Sequence, residues 1–299
     1  MMRRGSAVYL ILAALIGLAA LALRASAEPP VEVEPPSEAE LRSRWNTLYK
    51  RRAEALRVSL ADSENQTIKL LEKPLLTYTN PVRAGRTEGS VFLWTDEGRP
   101  VLVAAFWSVN EPTDQSRRRL SREWHSLGHE DMSVDIDSAQ VWQSGEPGIE
   151  WHSFSDDAAP VESRTQRLAQ MRKIVAGVQA TIGTGESELR LMPQPLYRYP
   201  EATPDVMDGA MFAFVMGTDP ELFAIVEAVH QKGAARWRIG FVPFTNAPVE
   251  ALLNHLKIFT AERCPPAQST GPHHLGLAVE RHAPDLSDEI VLPAEETTK

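Results

Sequence analysis

The sequence contains almost no cysteine, and it lacks the common signature motifs of catalysis. Cys264 is the only cysteine among 299 residues, so an intramolecular disulfide is excluded and stability depends on core packing. No Gly-x-Ser-x-Gly motif of a nucleophilic serine occurs. The single cysteine lies in a Pro-rich segment, which argues against a catalytic cysteine–histidine pair. The run Gly183-Thr184-Gly185-Glu186-Ser187 has no lysine and follows a predicted helix, which indicates a turn and not a phosphate loop.

Basic charge is also scarce. The chain has 31 Lys and Arg residues against 40 Asp and Glu residues, which gives a net charge of −9 at pH 7. The three charges before Glu28 are all arginines, so removal of that segment would leave 28 basic residues. Because phosphate binding depends on a basic face that releases counterions, we expect no nucleic-acid partner.

The N-terminus has the pattern of an export signal. Arg3 and Arg4 precede an apolar run over residues 7–23, and the small residues Ala25-Ser26-Ala27 follow it. This pattern predicts a signal peptide over residues 1–27 and an extracytoplasmic protein, either periplasmic or secreted. The alternative is a membrane protein anchored by residues 7–23, because the run is slightly long for a signal and slightly short for a span. An uncleaved anchor is the only membrane contact that we predict.

Beyond residue 27 the composition predicts one domain between two irregular segments. Residues 28–36 read EPPVEVEPP, which is typical of an extended spacer. Residues 37–262 are expected to form a single α+β domain that opens with an amphipathic helix over about 38–60, capped by Ser37. The Pro-, Ser-, Gly- and His-rich segment 263–299 is predicted to be a disordered tail.

Most of the predicted domain consists of short β-rich runs. The runs GSVFLWT (89–95) and VLVAAFWSV (101–109) flank a Gly-containing loop and predict a hairpin. Pro160 and an apolar stripe predict a second helix over 160–182 with Gly183 as its cap. The segment 249–261 fits either a helix or a strand. Further strands are predicted near 122–128, 132–136, 139–143, 149–154, 188–192, 210–216, 222–229 and 235–244.

A weak internal repeat lies on either side of the helix at 160–182. Residues 75–142 and 194–260 form the pseudo-repeat, and each contains a hairpin that begins at a glycine. We therefore predict a mostly antiparallel α+β fold of two duplicated halves bridged by a helix; chance similarity of two hairpins is the alternative. The echoes are Tyr78-Thr79-Asn80-Pro81 with Tyr197-Arg198-Tyr199-Pro200, Gly89 with Gly209, Phe92 with Phe212, and Trp124 with Trp237.

The same segments carry a resemblance to a known family. The runs YTNP, FLW, GRPV, RLAQMR, LRLMPQPLYRY, DGAMFAFVMGTDPE and RWR, spread over residues 68–245, resemble an uncharacterised exported family common in planctomycete bacteria. The resemblance implies a bacterial, extracytoplasmic setting and a conserved fold. It implies no activity, because none is established for that family.

Histidines and acids between residues 125 and 137 form the densest cluster of candidate metal ligands. Four residues of strand span about 13 Å, so His125 and His129 cannot share one zinc ion without a sharp bend, for which Gly128 is the only candidate. We therefore expect no metal here and no cofactor. The tail histidines His273, His274 and His282 are expected to belong to a free segment.

The remaining candidates for a ligand site are aromatic. Five of the seven tryptophans lie between residues 94 and 151, where they serve either as core residues or as a surface that stacks on sugar rings. The leading hypothesis is a non-catalytic extracytoplasmic binding or scaffold module with a polysaccharide or protein partner. The alternative is a hydrolase that uses His125 or His152 with nearby acids. The candidate ligand-binding residues are Trp107, Trp124, His125, Trp142, Trp151 and His152.

Overall fold

The fold is α+β and consists mainly of antiparallel strands. The computed structural model describes residues 36–60, 68–80, 86–128, 131–154, 159–183, 185, 187–203, 205–231, 233–265 and 271–289. The chain divides into Met1–Glu38 and Ala39–Lys299, and the second unit contains every described strand. The predicted signal segment, 1–27, and nearly all of the predicted spacer lie outside the described residues.

The first half of the unit builds one large and one small sheet. In the large sheet β6, β5 and β4 are neighbours, and both β2 and β3 pair with β4, whereas β1, β7 and β8 form the small sheet. The elements are α1 (Glu38–Glu54), β1 (Arg57–Leu60), β2 (Lys69–Leu70), β3 (Leu76–Asn80), β4 (Thr87–Asp96), β5 (Arg99–Asn110), β6 (Arg118–Ser126), β7 (Met132–Ile136), β8 (Ala139–Gln143) and β9 (Trp151–Phe154).

The second half has elements in nearly the same order. Its large sheet contains β16, β15 and β14, with β12 and β13 paired to β14, and its small sheet has the order β11-β10-β17-β18. The elements are α2 (Arg164–Ala176), β10 (Val178–Ile182), β11 (Ser187–Glu188), β12 (Arg190–Leu191), β13 (Tyr197–Arg198), β14 (Val206–Met216), β15 (Asp219–Gln231), β16 (Ala234–Pro243), β17 (Val249–Leu253), β18 (Leu256–Ala261) and β19 (His273–His282).

The two halves exchange their last strands. β9 of the first half pairs with β16 of the second, and β19 of the second half pairs with β6 of the first. Each exchanged strand is the terminal strand of the large sheet that it joins. The pairing of β19 shows that the prediction of a disordered tail is wrong for residues 273–282. The strand was missed because its pairing partner lies about 150 residues earlier in the sequence.

Three hydrophobic layers hold the sheets together. One layer lies between the two large sheets, and the other two lie between each large sheet and the helix and small sheet of the same half. Phe92 and Trp94 of β4 face the outer layer of the first half, whereas Val91 and Leu93 face the central layer. Because both faces of the first large sheet are buried around β4 and β5, these two strands contain long apolar runs without alternation. The hairpin predicted at 89–109 is confirmed by the pairing of β4 with β5.

Both helices are shorter than predicted. The first ends at Glu54, and residues 57–60, which were predicted to be helical, form β1. The second begins at Arg164 and ends at Ala176, and residues 178–182 form β10. In β10 buried and less buried side chains alternate, which is the period of a strand. The C-cap is Gly177 and not Gly183, because the Gly177 N–H donates to the Ile174 carbonyl.

The ambiguous segment 249–261 is a hairpin of β17 and β18. Its two turn residues, Asn254 and His255, have φ values of 50° and 68°, as a tight turn between antiparallel strands requires. Neither described helix has the length and hydropathy needed to cross a membrane. The predicted anchor at 7–23 lies outside the described residues.

The hairpins β4–β5 and β14–β15 have the same pairing 120 residues apart. Gly89 pairs with Trp107 and Gly209 pairs with Glu227, and the pairing shifts at the same place near the turn of each hairpin. A Cβ on Gly89 would lie 2.7 Å from the ring of Tyr78. The sheet therefore needs glycine at this position because a tyrosine ring covers it.

In the second half the ring that covers the glycine belongs to Tyr199. A Cβ on Gly209 would lie 2.4 Å from this ring. Tyr78 therefore occupies the position of Tyr199 and not that of Tyr197, as the sequence comparison had placed it. The reason is that Tyr197 pairs two residues further along, with Met211.

The match of Trp124 with Trp237 is also corrected by the pairing. Trp124 pairs with Ala104, whereas Phe241 pairs with the corresponding Ala224. Trp124 thus occupies the position of Phe241. By the same comparison Leu120 occupies the position of Trp237, because Leu120 pairs with Ser108 and Trp237 pairs with Ala228. The sequence comparison was wrong by four residues because it matched two tryptophans, whereas the position of Trp124 holds Phe241 in the second half.

Candidate functional site

A cleft of about 120 Å³ lies next to the core that the two large sheets share. We call it the acid cleft, because three of its side chains are carboxylates. Strands from both halves supply its wall, and the exchanged strand β19 closes one side. Its residues are Tyr78, Trp107, Glu123, Asp219, Glu221, Phe244, Thr245, Asn246, Leu275 and Leu277.

The three carboxylates of the acid cleft are deeply buried. Glu123, Asp219 and Glu221 have exposed fractions of 7%, 7% and 1%. Burial of a charged carboxylate is costly unless other groups bind it, so acids at this depth are informative. No lysine or arginine is among the described residues that form the wall. The wall of the cleft thus brings three acidic side chains together around a small volume.

Asp219 is held by two neighbours from β3. Asn80 donates a hydrogen bond of 3.4 Å from Nδ2 to Oδ2 of Asp219, and the Tyr78 hydroxyl is also hydrogen-bonded to Asp219. Burial raises the pKa of Tyr78 well above its usual value, and the charges of Asp219 and Glu123 raise it further. Tyr78 therefore remains protonated and donates to Asp219.

Glu123 faces a pair of buried histidines. His273 Nε2 lies 3.3 Å from Oε2 of Glu123, and the His273 ring stacks on His125 with 5.5 Å between centroids. Burial lowers the pKa of His273 to about 4. Burial and the neighbouring His273 lower the pKa of His125 to about 3, while a 2.7 Å contact of Nδ1 with the Ser126 carbonyl oxygen opposes the shift. Both histidines are therefore neutral at pH 7 and bring no positive charge to the cleft.

A bulge in β19 brings an apolar side chain to the cleft. Residues 277–279 stand opposite Ser121 alone, between the pairs Gly276–Arg122 and Glu280–Leu120. The Ala278 N–H donates to Ser121 Oγ at 3.0 Å, and Ala278 has a φ of 51°. The bulge leaves Leu277 48% exposed on the wall of the cleft. Bulges of this kind occur frequently beside functional sites, where they redirect side chains.

The corresponding place in the second half is filled by ion pairs. There Glu227 takes the position of Trp107, and it is fully buried. Arg238 Nε donates to Oε2 of Glu227 at 2.7 Å, and the Tyr199 hydroxyl donates to Oε1 at 2.7 Å. Arg99, which takes the position of Asp219, lies 3.5 Å from Oε1 of Glu227. The carboxylate is thus balanced by two arginines.

Packing closes that place as well. Gly240 takes the position of Glu123, and a Cβ there would lie 2.3 Å from Ile149. Trp151 takes the position of Leu275 and lies under Arg238, with 4.2 Å from the guanidinium carbon to the ring centroid. The strand β9, which carries Trp151, pairs with β16 without a bulge. The two halves therefore share a scaffold, and they differ in charge and in space at the same place.

The predicted aromatic site residues are separated by the fold. Trp107 is half-buried and lines the acid cleft. Trp124 and Trp142 are core residues of the outer layer, where their rings meet edge to face with 6.4 Å between centroids. Trp151 is half-buried beneath Arg238, away from the cleft wall. The predicted cluster of tryptophans thus contributes one ring to the cleft.

The predicted histidines also lie apart. His125 on β6 is buried against His273, and His152 on β9 pairs with Ile239 of β16. Neither histidine is on the cleft wall. His129, the predicted partner of His125 in a metal site, lies outside the described residues.

One group of described residues has the spacing of a metal site. The ligand atoms of Glu280, His282 and Glu289 lie within 4.8 Å of one another. However, Arg52 forms hydrogen bonds of 2.8 and 2.6 Å with Glu280, and Arg51 contacts Glu289 at 2.7 Å. These arginines already supply the positive charge that a metal would bring, so the group acts as an ion-pair network that fastens β19 and the following turn to α1.

The acids of the cleft were missed by sequence reasoning, although the sequence contains a signal for one of them. Glu221 stands in a strand in which the first eleven residues are buried, and a carboxylate at such a position is unusual. Glu123 lies in a strand rich in polar residues and does not stand out there. Asp219 stands at the end of a turn, where an acid attracts no notice. Only the exchange of β19 and the contact of the two halves bring these residues together.

No protein-family model, no curated protein and no solved structure matches this chain.

Proposed function

We propose that this protein is a non-catalytic extracytoplasmic binding module whose acid cleft binds an organic ammonium group. The observation that supports the proposal is the set of three buried carboxylates that lie beside aromatic rings in one cleft. An ammonium ion gains from carboxylates and from the faces of aromatic rings, and both are present here.

The size of the cleft indicates which part of a ligand it takes. Sites for whole drug-sized molecules have volumes of about 300–1,000 Å³. A cleft of about 120 Å³ fits the charged end of a chain and not the chain itself. The expected partners, a polysaccharide or a protein, carry such ends as amino-sugar and lysine amines.

Aromatic walls favour an organic cation over a metal ion. Calcium takes six to eight oxygen ligands, and magnesium retains water molecules in an octahedral shell. Part of the cleft wall consists of the rings of Trp107 and Phe244, which offer no oxygen ligand. Calcium is therefore a useful competitor in the test, and its preferential binding would contradict the proposal.

The test is a calorimetric titration of the processed protein with butylammonium, with butanol as the neutral control. We expect butylammonium to bind and Glu123→Gln to weaken this binding by about tenfold or more, because an ion-assisted hydrogen bond is lost. Glu146→Gln is the matched control, because Glu146 is exposed and lies outside the cleft. Equal affinity for butanol, or equal loss in both variants, would reject the proposal.

We also infer that the protein is exported. The support is the arginine pair, the apolar run 7–23 and the small residues before Glu28, together with the resemblance to an exported bacterial family. Mass spectrometry of the protein from its host should find a chain that starts at Glu28. A chain retaining residues 7–23 in the membrane fraction would instead support the anchor.

We further infer that the two halves arose by duplication. The common order of elements, the 120-residue offset of the hairpins and the tyrosine over each glycine support this origin. A relative whose halves are clearly similar in sequence would strengthen the inference. A crystal structure in which β9 and β19 pair within their own halves would show that the two halves do not exchange strands.

The rival is a hydrolase that uses His125 or His152 with nearby acids. Such an enzyme needs a base and an acid in one concave pocket, and neither histidine lies on the cleft wall. Burial raises the pKa of the Cys264 thiol, with a smaller effect of the Glu123 charge, so a thiolate nucleophile is disfavoured as well. The binding module is therefore the better account of this site.

A further inference from the structure

A second cavity lies on the opposite face of the first large sheet. Its volume is about 350 Å³, and α1, β5, β6, β19 and the turn after β7 enclose it. We call it the arginine pocket. Its apolar wall consists of Ala55, Leu56, Phe106, Leu120, Ile136 and Val279, and its charged residues are Arg52, Arg122, Asp137 and Glu280.

Arg122 is the unusual residue of this pocket. Its Nε atom is buried and has no hydrogen-bond partner among the described residues, and no ion pair within 4 Å joins its guanidinium to a described carboxylate. The guanidinium lies over the Trp124 ring, 5.2 Å from the centroid. Burial lowers the pKa of Arg122, but an arginine keeps its proton at any physiological pH. The pocket therefore holds a partly desolvated positive charge.

Glu280 is the carboxylate of the pocket whose charge acts on Arg122: it raises the pKa of Arg122 and opposes the effect of burial, although the two groups form no ion pair within 4 Å. Arg52 binds both carboxylate oxygens of Glu280, and His282 Nε2 lies 2.9 Å from Glu280 as well. Asp137 is exposed in the tight turn between β7 and β8, where water screens its charge. Since Arg52 holds Glu280, an anion that enters the pocket would meet Arg122 as a cation that no described carboxylate binds within 4 Å.

The second half shows what these positions contain when no pocket is needed. Ile239 takes the position of Arg122, and Trp237 takes that of Leu120. Both are core residues there, with exposed fractions of 0% and 2%. A leucine in place of a tryptophan leaves space, and an arginine in place of an isoleucine brings an unpaired charge into it. Both differences act against packing, which is typical of a functional site.

We propose that the arginine pocket binds an aliphatic carboxylate, with its carboxylate on Arg122 and its hydrocarbon chain on the apolar wall. A bidentate contact is available, because a guanidinium presents parallel N–H donors to a carboxylate. The volume is at the lower end for a small-molecule site, so a chain of medium length fits it. The bulge in β19 contributes Val279, which is 39% exposed, to the rim. This site is independent of the acid cleft, because it lies on the other face of the sheet.

The probe is octanoate, titrated into the processed protein by calorimetry. We expect octanoate to bind, and octanol, which has the same chain and no charge, to bind at least about tenfold more weakly. Glu123→Gln should leave octanoate binding unchanged, because Glu123 faces the acid cleft. Failure of the parent protein to bind octanoate, or equal binding of octanol, would overturn the proposal.

Two variants copy the second half into the pocket. Arg122→Ile removes the charge, and Leu120→Trp fills the space; each should weaken octanoate binding by about tenfold or more. Arg122→Ile should also raise the melting temperature, because burial of the Arg122 charge is unfavourable and no ion pair within 4 Å to a described carboxylate offsets it. Arg119→Gln is the control on the same strand, since Arg119 pairs with Glu111 outside the pocket. Undiminished binding in either folded variant would contradict the assignment; if Arg122→Ile fails to fold, Leu120→Trp carries the test.

Discussion

The two halves of this protein have nearly the same order of strands, but they differ at one corresponding place, beside Tyr78 in the first half and beside Tyr199 in the second. Near Tyr199 a buried carboxylate is neutralised by Arg99 and Arg238 and packed by Trp151. Near Tyr78 three carboxylates line open space without an arginine or lysine among the described wall residues. The two places therefore differ in the number of acidic side chains and in open space, although the strands around them pair in the same way. In the first half this place is an open cleft, whereas in the second half side chains fill it.

The two halves also differ on the other face of the first large sheet, where the arginine pocket lies. Arg122 and Leu120 stand where the second half has Ile239 and Trp237. The bulge of β19 joins the two places, since Leu277 reaches the acid cleft and Val279 reaches the arginine pocket. The straight strand β9 has no such insertion. The bulge thus contributes one side chain to each candidate site, and β9 has no bulge in its pairing with β16.

The largest expected effect concerns the neutral histidines beside the acid cleft. His125 and His273 have pKa values of about 3 and about 4 in the fold, against 6.5 for a free side chain. Their contribution to stability is therefore complete above pH 6.5 and is lost as the pH falls toward 4. Each histidine should add a slope of about 1.4 kcal/mol per pH unit in this window.

The matched variant is His125→Val, which places the residue of the second half, Val242, at this position. Urea unfolding at pH 7, 6, 5 and 4 should show a slope lower by about 1.4 kcal/mol per pH unit than in the parent protein. Parallel pH profiles would show that His125 does not stay neutral in the fold.

A smaller effect is expected from the closed place in the second half. Glu227→Gln removes the charge that Arg99 and Arg238 share, and it should lower the free energy of unfolding by about 3 kcal/mol. Both arginines are partly exposed, so we expect less than the loss for a fully buried pair. Chemical denaturation at pH 7 measures this loss. The affinity for butylammonium should not change in this variant. A change would show that Glu227 influences binding at the acid cleft.

The smallest effect is expected within the acid cleft. Glu221→Val introduces the residue that stands at this position in the first hairpin, Val101. The variant should bind butylammonium about tenfold more weakly than the parent, because one of the three carboxylates of the acid cleft is removed. Calorimetric titration at pH 7 measures this loss. Unchanged affinity in the folded variant would show that Glu221 takes no part in binding.

The strands of the large sheets were predictable, whereas the ends of the helices and the last strand were not. Runs such as VLVAAFWSV are apolar on both faces, and this indicates buried strands from local sequence alone. β1 has only four residues and continues a helical pattern, so nothing local separates it from α1. β19 (HHLGLAVERH) is stabilised by pairing with β6 and by contact of its following turn with α1. Those partners are distant in sequence, and local composition carries no information about them.

The candidate site was predictable only in fragments. Trp107 was expected from its aromatic character, and Tyr78 and Gly89 belonged to the repeat motif. Glu123 was hidden beside the more conspicuous Trp124 and His125, although these two face buried partners. Its role depends on β19 and on Asp219 of the other half. A site assembled from two halves cannot be read from either one.

The central claim is that the acid cleft, and not the closed place in the second half, takes an ammonium group. The most direct measurement is calorimetric titration of Asp219→Arg with butylammonium at pH 7, since Arg is the residue that the second half has at this position, Arg99. We predict a folded variant that has lost butylammonium binding, while octanoate still binds the arginine pocket as in the parent. Undiminished butylammonium binding by this variant would contradict the account.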